Sequence, residues 1–231
     1  MSAKKEAQRR IKEEKQAAAA SKARAGGLAL KIAAGILVPL VIGVLLYGLF
    51  GQQASPPGAV TESDHVRGNP DAAATLTVYA DFQCPACGDE TELMARTWPR
   101  ISDRVRLVLR HYPLDVHNHA FPAARYAEAA GRQNRFWEMH DMLYANQTLW
   151  SNVADPLPLF DGYATQLGLN VEQLHADMES TEIRDKVLAD QRGGARAGVL
   201  GTPTLFLNGK QIPTPRSSAE LISKIDEVVS Q

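Results

Sequence analysis

Cysteine is scarce in this chain: its 231 residues hold two. Two cysteines cannot build a disulfide-dense scaffold or supply a four-cysteine zinc site. A surplus of one charge is missing too. The 25 Lys and Arg and the 26 Asp and Glu leave a net −1, which makes no electrostatic case for nucleic acid as a partner. No internal repeat is visible, which sets repeat architectures aside. What is present is an ordinary 45% of hydrophobic residues, and that excludes a wholly disordered chain. At about 100–200 residues per domain, the length suggests one or two domains.

The even charge balance conceals a division. Residues 1–31 hold nine bases and three acids, a net of +6; the remaining 200 residues hold 16 bases and 23 acids, a net of −7. Between head and body, Ile32 to Gly51 runs for 20 residues without a charge. A bilayer core about 30 Å thick takes about 20 apolar residues of helix, so the run predicts a transmembrane helix. Pro39 inside it is tolerated in membrane helices, and soluble helices seldom reach this length without a polar face. A cleaved signal peptide would have an apolar region of about 7–15 residues and a small-x-small site; Gly51-Gln52-Gln53-Ala54 offers no good one. Arg9-Arg10 is followed by the mostly charged Ile11-Lys12-Glu13, which argues against a twin-arginine signal. Flanking bases stay in the cytoplasm, so residues 1–31 are predicted as a cytoplasmic tail and residue 52 onward as extracytoplasmic. The 1–24 stretch reads as a surface helix against anionic lipid or, equally, as a solvated tail. Residues 52–70, polar and rich in Pro, Gly and Ser, read as a linker. Residues 71–231 remain as the folded body.

Within the body, residues 75–80 and 105–112 read as strands, and 204–207 as a third with a return strand at 211–212. Asn208-Gly209 between the last two is a hairpin-turn pair. Helical spacing runs over 85–98, 119–145 with a break near 131–133, 158–167, 171–178, 181–197 and 217–229. Ser217 or Ser218 is a suitable cap for the last. The order β–α–β, helical block, β–β–α predicts an α/β fold with a central sheet covered by helices.

Both cysteines lie at the first strand-to-helix junction, as Cys84-Pro85-Ala86-Cys87. Unpaired N–H groups and the macrodipole at a helix start favour negative charge, so the Cys84 thiol is expected to ionise below the free value of about 8.5. Asp89, Glu90 and Glu92 are expected near the same helix start. Cys87 lies one turn on, on the same face, less exposed and able to close a small disulfide ring with Cys84. This predicts thiol–disulfide exchange: a substrate thiolate attacks Cys84, Cys87 leaves, and a second thiol releases the oxidised substrate. A purely structural disulfide over so short a loop stabilises little. A copper or zinc carrier needs more ligands than the pair, and no second CxxC exists; no metal is predicted. His111, His117 and His119 read as ordinary loop or surface residues, and Phe136 with Trp137 as core.

At these residues the chain resembles the DsbA-like branch of the thioredoxin superfamily, especially the membrane-anchored or secreted bacterial members grouped with BdbD. Three motifs in order carry the resemblance: Asp81-Phe82-Gln83-Cys84-Pro85-Ala86-Cys87; Tyr112-Pro113-Leu114 through His117 to Phe136-Trp137-Glu138-Met139-His140-Asp141; and Gly201-Thr202-Pro203-Thr204. The resemblance implies a thioredoxin fold with a helical insertion at about 116–198, preceded by one N-terminal transmembrane helix. It implies that Cys84 and Cys87 form a redox-active disulfide, and that Thr202 and a cis Pro203 bind substrate backbone beside Cys84. Read without it, Pro203 is a strand-start proline. The implied activity is that of a thiol:disulfide oxidoreductase, oxidising cysteine pairs of exported proteins at a bacterial cell membrane. It would be a single-pass monomer without a cofactor, reoxidised by a DsbB- or VKOR-type membrane partner. The family's strong oxidants often carry His between the cysteines, where this chain has Ala86. A disulfide reductase or isomerase is therefore the alternative within the class, and a metal- or peptide-binding chaperone the alternative outside it.

Overall fold

The computed structural model describes residues 57–230. The basic head, the predicted membrane span at 32–51 and the start of the predicted linker lie outside the described residues. Among those described, no helix is long and apolar enough to cross a membrane.

The chain opens with β1 (His65–Gly68), β2 (Ala74–Ala80), α1 (Pro85–Thr97) and β3 (Val105–His111). Six helices follow: α2 (Ala120–Arg132), α3 (Phe136–Ala145), α4 (Gln147–Trp150), α5 (Leu157–Gln166), α6 (Val171–Met178) and α7 (Thr181–Arg196). β4 (Thr204–Leu207), β5 (Lys210–Ile212) and α8 (Ser218–Val229) complete the fold. The sheet order is β1-β3-β2-β4-β5. β2 and β3 are parallel, with Leu76 opposite Leu107; the β1–β3, β2–β4 and β4–β5 pairs are antiparallel. A parallel pair needs a long crossover, and α1 supplies it. This is the α/β thioredoxin-like arrangement, with helices α2–α7 inserted between β3 and β4.

β1 corrects the linker boundary, because residues 65–68 form an edge strand where the sequence predicts linker to residue 70. The segment HVRG has no apolar alternation to mark it. It is a strand because β3 offers a free edge, with Val66 opposite Val108. Trp137 of α3 then donates its indole N–H to the Val66 carbonyl at 3.1 Å, and the Arg67 guanidinium lies 4.5 Å over the Trp137 ring. The Asn208-Gly209 turn has positive φ at both residues, 47° and 78°, the combination that a tight hairpin between twisted strands requires.

Alternation along β2 separates two packing faces. Leu76, Val78 and Ala80 enter the main core with Leu107 and Leu109 of β3 and Leu205 and Leu207 of β4. Tyr79 points the other way, into a small cluster with Phe206, Ala197 and Val199. There α7 comes so close that a Cβ on Gly194 would lie 2.7 Å from the Tyr112 ring and 2.9 Å from the Tyr79 ring. The insertion has its own aromatic centre, where Tyr126, Phe160 and Trp150 meet edge-on.

A buried polar network joins the insertion to the sheet. Glu128 of α2 bonds to His111 Nε2 at 2.8 Å and His65 Nε2 at 2.9 Å. Asp190 accepts the His111 backbone N–H at 3.1 Å and the Lys186 ammonium at 2.6 Å. His111 is therefore an interior residue, 1% exposed, and not the surface residue predicted. Its position as the last residue of β3 under α2 decides this. Burial opposes the Glu128 charge, yet the bonds from His111 and His65 outweigh it and hold the carboxyl well below the usual range. Removing one partner of such a buried pair strands the others. Glu128→Ala is expected to cost about 3 kcal/mol in urea unfolding at pH 7. A loss within the scatter of exposed substitutions, about 0.5 kcal/mol, would show the network to be dispensable.

Candidate active site

The site is built on the turn that joins β2 to α1. Cys84 is the N-cap of α1, with extended backbone, and Pro85 occupies the first helical position, where its missing N–H costs nothing. The Cys84 carbonyl accepts the N–H groups of Cys87 and Gly88 at 3.1 and 3.2 Å. The loop before β4 closes over the pair: the Cys84 sulfur lies 3.4 Å from the Thr202 carbonyl, and the Thr202–Pro203 peptide bond is cis. All four predicted site residues thus meet, although Cys84 and Thr202 are 118 positions apart.

The two thiols, both free, have unlike environments. Cys87 is fully enclosed; Cys84 keeps 7% exposure, so an incoming sulfur has access at Cys84 alone. The Cys87 side chain donates to the Cys84 sulfur and lowers its pKa to about 5; burial opposes this, while the Thr202 side chain and the N–H groups of Cys87 and Ala86 add to it. The Thr202 hydroxyl is buried with no other partner, so it is available to the Cys84 thiolate. Burial, and then the neighbouring Cys84, push the Cys87 thiol far above its ordinary value. The acids do not enter this balance as expected. The first turn of α1 contains none of Asp89, Glu90 and Glu92, since the helix begins at Pro85.

The insertion grips the same turn. Asp81 Oδ1 accepts the N–H groups of Gln83 and Cys84 at 2.7 and 3.2 Å. Its Oδ2 accepts the Leu114 N–H and bonds His117 Nδ1, both at 2.8 Å. Gln83 donates to the Ser151 carbonyl and accepts the His119 N–H, both at 2.7 Å. Gln147 Nε2 donates to the carbonyls of Phe82 at 2.7 Å and Cys84 at 2.9 Å. Gly88 makes this approach possible, since a Cβ there would lie 2.8 Å from Gln147 Oε1. The Tyr144 hydroxyl donates to the Asp81 carbonyl at 3.2 Å. Sequence reasoning singled out none of Asp81, Gln83, Tyr144 and Gln147 as site residues. It read His117 and His119 as ordinary loop or surface residues. His117 is bound to Asp81, and the His119 ring to the Val153 carbonyl at 2.8 Å. The signal available was a polar Asp81 and Gln83 flanking a buried aromatic just before the cysteines.

Glu90, one turn beyond Cys87, faces inward. It is 8% exposed, and its Oε1 has no hydrogen-bond partner. It borders a cavity of about 70 Å³ lined by Val78, Met94, Leu107, Trp137 and His140. Burial pushes its pKa up to about 7 from 4.5. His111, Glu128 and Asp190 bring three ligand-type atoms within 4.8 Å of one another. The Lys186 ammonium, 2.6 Å from Asp190 and 3.9 Å from Glu128, already supplies the positive charge a metal would bring.

Two measurements test these environments. Alkylation of the reduced protein against pH is expected to show Cys84 reacting with a midpoint near 5 and Cys87 protected until unfolding; a Cys84 midpoint at the free value of about 8.5 would contradict the assignment. For Glu90, the folded chain holds a proton that the unfolded chain releases above 4.5, so stability falls as pH rises from 4.5 to about 7 and is level beyond. Glu90→Gln is expected to remove this slope and to stabilise the protein at pH 8 by about 3 kcal/mol, from 1.36 kcal/mol per pKa unit. Equal pH dependence in variant and parent would place the effect elsewhere.

A family model described as Thioredoxin matches residues 60–227. The Na(+)/H(+) antiporter NhaA 1 of Mycolicibacterium gilvum is 38% identical over 170 residues, 71% of this chain and 26% of the antiporter. The chain spans about a quarter of the length of the curated relatives it matches. Among solved structures, a thioredoxin-like oxidoreductase from Silicibacter pomeroyi DSS-3 is similar at 24% identity and a TM-score of 0.63, over 74% of this chain and 95% of that one. Oxidised BdbD from Bacillus subtilis is similar at 19% identity and a TM-score of 0.67, over 78% of this chain and all of that one. At these identities the structures speak for the fold, and the family match speaks for descent. With its CxxC pair capping the first helix of a thioredoxin-like sheet, the chain belongs to the thioredoxin family.

Proposed function

We propose that the chain is a thiol:disulfide oxidoreductase that oxidises cysteine pairs of exported proteins. The observation that carries this reading is the inequality of the two thiols. One is reachable and inclined to ionise; the other is enclosed and strongly disinclined. In the oxidised enzyme a substrate thiolate bonds to the Cys84 sulfur. The Cys84–Cys87 bond breaks, and its electron pair leaves on Cys87, which takes a proton. A second substrate thiol then attacks the substrate sulfur of the mixed disulfide. Cys84 departs as a thiolate, the substrate carries a new disulfide, and the enzyme is reduced by two electrons. A departing Cys84 that is stable as an anion favours the reduced enzyme, which makes the oxidised form an oxidant. Thr202 and Pro203, beside that sulfur, are the substrate-backbone contacts. The cysteine pair carries the electrons, so the reaction requires no bound cofactor.

The cellular setting extends the same reading. A membrane helix at 32–51, an outward-facing domain and reoxidation by a DsbB- or VKOR-type membrane partner fit the charge division of the chain. The curated relatives are named as Na(+)/H(+) antiporters, which supports a place at a membrane; antiport itself is not carried over. A reductase or isomerase is the second reading, favoured by Ala86, which brings no charge between the cysteines.

Cys87→Ser is expected to accumulate mixed disulfides at Cys84 with exported proteins, whereas Cys84→Ser accumulates none. Absence of adducts in both would refute exchange chemistry. The equilibrium potential of the pair is expected nearer about −120 mV than the roughly −270 mV of a reductant; the opposite result selects the second reading.

A further inference from the structure

The Asp81 carboxylate is enclosed, with no side-chain exposure. Three backbone N–H groups, those of Gln83, Cys84 and Leu114, donate to it. A carboxylate held by three donors is an ionised acceptor. Its fourth partner, His117 Nδ1 at 2.8 Å, must therefore carry a proton. That fixes the tautomer: in the neutral ring the lone pair lies on Nε2. Nε2 bonds to no described residue and is not among the enclosed unpartnered atoms, and the side chain keeps 20% exposure. The loop is held on both sides of His117. Leu114 and His119 of its own loop are tied to Asp81 and Gln83, the residues that lead into Cys84. The adjoining Val116 is 80% exposed, so the loop faces solvent beside the turn. The result is an imidazole oriented by a buried carboxylate, with its second nitrogen unbonded, on a loop tied through Asp81 to the turn that carries the reactive cysteine. The other titratable groups around the dyad are Cys84 and Cys87 of the turn and α1, Tyr144 of α3 through the Asp81 carbonyl, and Asp115 and His119 of the loop itself.

We propose that His117 is the proton acceptor for the incoming substrate thiol and that Asp81 is the residue that positions it. This rests on the exchange reading above and adds a group to it. An ordinary alkyl thiol is mostly protonated at neutral pH, with a pKa of about 8.5, and only its thiolate attacks a disulfide. As the substrate sulfur bonds to Cys84, its proton passes to His117 Nε2. The Cys84–Cys87 bond breaks and Cys87 takes the electron pair, with a proton drawn from water. The imidazolium, stabilised by Asp81, then returns its proton to water. Over the full cycle two substrate S–H bonds become one S–S bond, one proton remains on Cys87, one is released, and Cys84 is left as a thiolate. Histidine is the side chain most often placed to take such a proton in a transition state.

The test compares two thiols reducing the oxidised full-length protein: glutathione, and an aromatic thiol already ionised at pH 6. His117→Gln is expected to slow glutathione at pH 6.5 on the order of 10²-fold, the low end of general-base contributions, while the ionised thiol keeps its rate. His117→Ala is expected to behave alike and to recover with added imidazole. Retention of the ionised-thiol rate also reports an intact Cys84 site in either variant. Equal losses with both thiols would make His117 a structural residue and overturn the proposal, as would unchanged rates with both. A parent disulfide that reacts with neither thiol would overturn the exchange reading itself.

Discussion

One carboxylate ties the molecule together at its reactive end. Asp81 receives hydrogen bonds from the turn that sets Cys84, from the loop that leaves β3, and from His117. Its own backbone N–H donates to the Cys87 sulfur at 3.5 Å, and its carbonyl receives Tyr144. A buried charge is tolerated only when its lone pairs are filled. Satisfying Asp81 therefore obliges the sheet, the active-site helix and the insertion to meet in one arrangement. The insertion can be understood in these terms: Gln147 and Tyr144 brace the carbonyls around Cys84, while the Gln83 side chain reaches Ser151.

The chemical inequality of the cysteines follows from that bracing and from helix geometry. Cys84 stands at the cap, where donors converge and an opening remains. Cys87, three positions on, turns beneath the helix into apolar surroundings. Two identical side chains thus acquire opposite preferences for charge through position alone. The cation at the other polar cluster, Lys186, does comparable work for stability: with His65 and His111 it lets Glu128 and Asp190 remain in the interior between sheet and insertion.

Much of this was legible without coordinates. β2, α1, β3, β4 and α8 lie within one or two residues of their predicted spans, because each combines a consistent periodicity with clear stops: Pro99, Pro113, Asn208-Gly209, Ser217. β1 was not legible, since a four-residue half-polar strand exists only through its partner β3 and the Trp137 indole. Glu90 read as an acid near a helix start, and its burial was not legible, because periodicity does not say which face of a short amphipathic helix will be covered. His111, His117 and Gln147 carried no local pattern at all. Their roles depend on contacts 17 to 79 positions away in the chain.

What the amino-acid sequence determined by itself was local: a CxxC pair at a strand-to-helix junction, a proline before the third long strand, and the succession of elements that leads to a thioredoxin-like sheet. Backbone donors at a helix start and the reach of three residues are properties of adjacent positions, so they can be read from adjacent letters. The tertiary structure alone decided which thiol is sealed, which carboxylate is filled, which imidazole nitrogen stays free, and that Thr202 arrives beside Cys84. Those outcomes depend on desolvation and on hydrogen bonds between distant segments, and both quantities come into existence only when the chain has closed on itself.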